Sequence, residues 1–190
     1  LFRPLSLLND NNPLTSERRK NMCNKRGIIG FAIVLGIFAV IGSGPLNLAA
    51  SAEQVYDVDA CVSMELSTLV RSQEITILAW DAKGIMRSNN EGKVFDNCTV
   101  HSQGVTSTEG KNRTIYGYMK YLDPDGDFVI FRYTLNPGEK AATTTLMFGT
   151  CKWKGITGGG KAKRIAGGKP VAEGTIQFCN NHKGTFTVPE

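Results

Sequence analysis

The sequence predicts an all-β fold, a single antiparallel β-barrel of about eight strands behind an N-terminal signal peptide. Three observations carry this reading. Short runs of β-forming residues recur every ten to fifteen residues or so, separated by Gly, Asn, Asp and Pro. No stretch of the C-terminal part has a convincing helical period. Residues 18–52 place a basic block, an apolar run and a small-residue end in that order.

The elements are taken from the N-terminus. Arg18, Arg19, Lys20, Lys25 and Arg26 form the basic block, residues 28–41 carry no charge, and Ala50-Ser51-Ala52 is an A-x-A end. Export machinery retains the positive end, and signal peptidase accepts small side chains. A start at Met22 sets the basic residues Lys25 and Arg26 directly before the apolar run. Residues 1–21 are therefore expected to be an unstructured upstream extension, 22–52 a signal peptide and 53–190 the barrel domain. The rival is a retained anchor, because the uncharged stretch 27–44 approaches the roughly 20 residues of a spanning helix. Its glycines and cleavage-like end favour removal. The domain is expected in an extracytoplasmic compartment, periplasmic or secreted, with no stable membrane anchor.

Charge and cysteine content narrow the class. Residues 1–52 hold six Lys/Arg against two Asp/Glu, and residues 53–190 hold 16 against 15, so the +5 of the chain belongs mostly to the leader. A nucleic-acid partner needs a basic face, and none is expected on a domain so evenly balanced. Cys61, Cys98, Cys151 and Cys179 are an even number in an exported domain and predict two disulfides. Three pairings stay open. No C-x2-C spacing suggests a zinc site, so no metal and no cofactor are expected.

Strands are predicted over 56–69, 74–80, 93–100, 114–122, 128–135, 143–148 and 161–165. Asp123-Pro124-Asp125-Gly126-Asp127 makes a hairpin of the fourth and fifth, since Pro presets φ and Asp-Gly tolerates positive φ. A last hairpin is predicted from 174–179 and 183–188 around Asn180-Asn181-His182, with Ile176, Phe178, Phe186 and Val188 on every second position. A sandwich or a barrel would satisfy this series. The barrel is preferred because closure removes free edges.

One segment carries a resemblance. Residues 148–160, F-G-T-C-K-W-K-G-I-T-G-G-G, resemble the G-T-G-K-[WYF]-x-G-[IA]-x-G stretch of secreted bacterial proteins with an allene oxide cyclase-like barrel, and plant dirigent proteins have a similar stretch. Gly117-Tyr118, the acidic turn at 123–127 and the ending 183–189 look like other elements of that group in the same order. The resemblance covers roughly residues 115–189 and implies an eight-stranded antiparallel barrel with a central cavity. Cys151 departs from it, standing where the group more often has Gly. No catalytic residue carries over. Trp153 and Ile156 would then plug one end of the barrel.

Other motifs have structural readings. Residues 155–162, G-I-T-G-G-G-K-A, lack the hydroxyl of a phosphate loop and precede a β-rich stretch. Asp123, Asp125 and Asp127 imitate a calcium loop, but Phe128 and Thr134 stand where Gly and Glu are needed. His101 and His182 have no nucleophile motif beside them, and His182 is expected to be solvated in a turn. Among Glu65, Glu74, Asp81 and Asp96, Asp81 could point into a cavity but more often such a residue caps a turn. Lys161, Lys163 and Arg164 read as solvated charges that discourage edge pairing. Asn97-Cys98-Thr99 and Asn112-Arg113-Thr114 are glycosylation sequons, meaningful only in a eukaryotic secretory route.

Aromatic residues are the better lead. Tyr116 and Tyr118 share one face, as do Phe131 and Tyr133, and with Trp80 they are the candidate ligand-binding residues. The function expected first is binding of a small apolar or amphipathic molecule without catalysis. The alternatives are an isomerase or cyclase resembling allene oxide cyclase, and a structural or interaction protein with a filled barrel.

Overall fold

The chain divides into two units, residues 1–48 and 49–190. The computed structural model describes residues 52–189, within the second. The expected upstream extension, and all of the expected signal peptide except Ala52, lie outside the described residues.

Eight strands follow one another: β1 (Gln54–Arg71), β2 (Ile75–Ser88), β3 (Thr99–Glu109), β4 (Asn112–Leu122), β5 (Phe128–Leu135), β6 (Ala142–Gly149), β7 (Thr157–Gly168) and β8 (Thr175–Thr187). Each pairs antiparallel with the next, and β8 returns to β1, so the sheet is a closed barrel as the sequence predicted. The only helical piece among the described residues is one 3-10 turn, Cys151–Trp153. The β6–β7 seam is the weakest, joining four residue pairs from Ala142–Ala162 to Thr145–Gly159. Beyond it β7 pairs with β8 alone, and Lys163 and Arg164 lie on that uncovered margin, where charge discourages edge pairing.

Alternation along each strand sorts the side chains. On β1, Tyr56, Val58 and Ala60 are buried, while Asp57 and Asp59 face out and accept hydrogen bonds from Asn181 Nδ2 at 2.7 and 2.9 Å. On this strand the apolar side chains point inward and the charged ones outward. The loops at one end close the barrel. Phe95, Trp153 and Ile156 come from the β2–β3 and β6–β7 connections and pack on Tyr56, Tyr121, Phe131 and Phe186. Trp153 and Ile156 thus plug this pole as expected. Phe95 is an unexpected third plug, at φ 56°, a conformation that a bulky residue rarely adopts. The ring clusters it completes, 5.6 Å from Tyr121 and 5.8 Å from Phe186, hold it there.

Several local expectations need correction. The strand predicted over 93–100 begins only at Thr99, because Lys93, Phe95 and Asn97 all take positive φ and form a turn. The hairpin around Asn180-Asn181-His182 does not exist. β8 runs through it unbroken, with Asn181 outward on the β1 aspartates and His182 buried inward. Asp81 neither caps a turn nor enters the lumen. β2 continues past it to Ser88, and it sits on the outer wall taking bonds from Gln103 Nε2 (2.6 Å) and His101 Nε2 (3.1 Å).

Of the expected disulfides, Cys61–Cys179 is present, between residues that are direct partners across the β1–β8 seam. Cys98 is not in a second one. It is a buried free thiol whose pKa burial pushes up to about 12, so it is a packing residue rather than a nucleophile. Lys152 Nζ holds the acidic turn at 123–127, 2.6 Å from Asp123 and 2.7 Å from Asp125.

Candidate functional site: the open half of the lumen

The plug fills only one half of the barrel. Above it lies a cavity of about 440 Å³ lined by residues of all eight strands. Small side chains make the room. Ala60 and Ala82 stand on β1 and β2, and Ala142 and Ala162 face each other across the β6–β7 seam. Val62, Met64, Leu78, Met119 and Phe178 form apolar walls. Leu66 and Ile176, over a third exposed, mark the mouth.

Trp80 is fitted into the wall by two glycines. A Cβ at Gly104 or Gly117 would stand 2.5 or 2.8 Å from its indole ring, so only glycine at these cross-strand partners leaves the ring its place. The indole Nε1 is buried and has no hydrogen-bond partner within the described protein, a costly state for a donor unless something else accepts from it.

The floor is polar. His182 is 2 % exposed, and its Nδ1 shares a 2.8 Å hydrogen bond with the hydroxyl of Tyr121. Burial pushes its pKa down to about 4, against an opposing pull from Asp59, so the imidazole is neutral near pH 7. Burial also pushes the Tyr121 phenol well above its ordinary value. The two form a neutral pair beneath the cavity, with Asn180 and Ser102 in the wall above. Neither Asp nor Glu is among the described residues that line it.

The candidate ligand-binding residues separate cleanly. Trp80 and Tyr133 line the cavity, and Phe131 points inward but belongs to the plug below it. Tyr116 and Tyr118 are on the outer wall, 43 % and 47 % exposed, with their hydroxyls 2.7 Å apart. They share a face as predicted, but it is the wrong face for a cavity. On β4 the inward set is Ile115, Gly117, Met119 and Tyr121, and period-2 patterning cannot say which of two partly apolar faces turns in. His182, Arg113, Lys140 and Arg164 were missed as lining residues. His182 was hidden by turn-like neighbours, and the three cations by the ordinary rule that isolated charges face water.

No family model matches the sequence, and no curated protein matches it. The solved structures similar to the chain include two dirigent proteins. One is the pterocarpan synthase dirigent protein GePTS1, with 13 % identity and a TM-score of 0.46 over 77 % of this chain and 98 % of that one. The other is the pterocarpan synthase dirigent protein PsPTS1, with the same identity and TM-score over 75 % of this chain and 97 % of that one. The allene oxide cyclase name gains no support from these comparisons, and what stands on the chain's own strand order is a closed, eight-stranded antiparallel barrel with one hollow half.

Proposed function

We propose that this protein is an extracytoplasmic binding barrel that holds a small apolar or amphipathic molecule in its lumen and performs no reaction on it. The observation that carries the reading is the cavity of about 440 Å³ above a packed plug. This volume is in the range of small-molecule sites, which are concave, mostly apolar and fitted with a few polar groups. A barrel kept only as a scaffold has no use for four alanines lining a hollow, so the filled-barrel alternative is set aside. A cyclase would need a polar group that stabilises charge as it forms. The described lining residues include no carboxylate, His182 is already engaged with Tyr121, and the charged groups among them are the cations Arg113, Lys140 and Arg164, which suit binding of an anion. The Cys61–Cys179 disulfide supports an oxidising compartment.

The test uses N-phenylnaphthylamine, a neutral dye that fluoresces in apolar sites, titrated into the full chain. Saturable binding at one site per chain is expected. Ala162→Phe, which puts a ring into the cavity, should weaken it roughly tenfold, the loss of a little over 1 kcal/mol. A native protein with no saturable signal, or an Ala162→Phe variant that binds as well, would remove the lumen as the site. Native mass spectrometry of protein from its source should show a retained small molecule.

A further inference from the structure

We infer that the ligand is an organic anion with an apolar body, held with its charged end at the mouth of the barrel among Arg113, Lys140 and Arg164. This rests on the lumen reading above and adds the charge and orientation of what is bound.

The three cations come from separate elements: Arg113 from the start of β4, Lys140 from the β5–β6 loop and Arg164 from β7. All line the same cavity, and no acidic residue is among the described residues that line it with them. None of the three makes an ion pair among the described residues, where five lysine–carboxylate pairs do form. Glu139, next to Lys140 in sequence, is engaged elsewhere, accepting from the Asn136 backbone N–H and facing Lys161. Arg164 does not simply trail into water. Its guanidinium lies 4.1 Å over the ring of Phe178, a wall residue, which holds the charge against the lumen. Tyr133 stands within the electrostatic reach of both arginines. Burial raises its phenol pKa, and Arg113 and Arg164 pull it back down. A phenol and two guanidiniums therefore face one region, and Tyr133 can donate a hydrogen bond there as well.

Like charges that converge at the rim of an apolar cavity repel one another and raise the local potential. A bound anion relieves that repulsion and receives charge-assisted hydrogen bonds from planar guanidinium groups. Below them the described lining residues bring no second charged group, and the polar ones there, such as His182 and Ser102, are neutral. An anionic head at the mouth with an apolar body below it matches this division. A dianion reaching the floor, or a cation, does not.

The experiment compares two dyes on one skeleton, neutral N-phenylnaphthylamine and its sulfonated analogue anilinonaphthalene sulfonate, in the full chain. The sulfonate should bind roughly tenfold tighter, with an advantage that shrinks in high salt. Arg113→Gln or Lys140→Gln should each weaken the sulfonate about threefold, and Arg113→Gln with Arg164→Gln about tenfold. The neutral dye should stay within about twofold throughout. Lys163→Gln, which removes a cation from the outer wall next to Arg164, should change neither. Laurate should displace the sulfonate, whereas inorganic phosphate at the same concentration should not. Because Arg164→Gln also removes the contact with Phe178, the single Arg113 and Lys140 variants give the answer independently, with a thermal melt to confirm folding. A sulfonate that binds no tighter than the neutral dye overturns the charge assignment and leaves the lumen reading standing. Equal losses for both dyes, or displacement by phosphate, overturn it too. If neither dye binds the native chain, both readings fall together.

Discussion

His182 leaves water on folding and enters a site where its protonated form is disfavoured. Its ordinary pKa of 6.5 falls to about 4 because burial strips the cation of solvent. Between those values the unfolded chain binds a proton that the folded barrel refuses, so stability rises with pH there. The contribution is complete above pH 6.5 and is lost as the pH falls towards 4, by about 3 kcal/mol at most. Urea unfolding at about pH 7 and about pH 4.5 should show this loss, and His182→Gln should flatten the slope between them. An equally steep slope in the variant would assign the acid sensitivity elsewhere. Asp57 does not confuse the measurement. Hydrogen bonds from Lys183 and Asn181 hold its pKa down to about 2 against a starting 3.8, so its share of stability is lost as the pH falls from about 3.8 towards 2, below the window measured. At this scale the sequence was hard to read. Asn180-Asn181-His182 has turn-forming composition, yet Asn181 is there for two aspartates on the neighbouring strand and His182 for a tyrosine sixty-one positions away.

Among the elements, the β1–β8 seam decides whether the sheet closes, since it joins residues 118 apart in sequence through Cys61 and Cys179. A bridge closing so long a loop removes much of the freedom of the unfolded chain, worth roughly 3–5 kcal/mol. The Cys61→Ser, Cys179→Ser double variant should unfold at a lower denaturant concentration by that amount while keeping a β-rich circular-dichroism spectrum in buffer. An unmoved midpoint would mean that the twelve residue pairs of the seam suffice without it. Strand positions were largely legible because β-forming runs and turn residues are local signals. β1, β4, β5 and β6 match prediction to within two residues at each end, and β2 and β7 were found in part. β3 was lost. Its polar alternation, H-S-Q-G-V-T-S-T, has small residues inward where Trp80 needs space, so it lacks the bulky apolar period that marks a half-buried strand.

For the whole molecule, all-β class and closure followed from the spacing of the runs and from the hazard of free edges. The division into a plugged pole and a hollow one did not. It depends on which loops fold inward, and Phe95, Trp153 and Ile156 do so from connections distant in sequence. Nor could pattern alone bring Arg113, Lys140 and Arg164 together, because the register of the closed ring sets Arg113 opposite Thr108 and Arg164 opposite Asn180, round one cavity with the β5–β6 loop that carries Lys140. The same register has a further result. Gln54 and Phe186 are partners, so the polypeptide enters and leaves the cylinder side by side at the plugged pole. Covalent order around the ring is then interchangeable. A circular permutant that splices these neighbours with a short Gly-Ser bridge and is cut between Ser72 and Glu74 should assemble the same cylinder and retain its dye affinity.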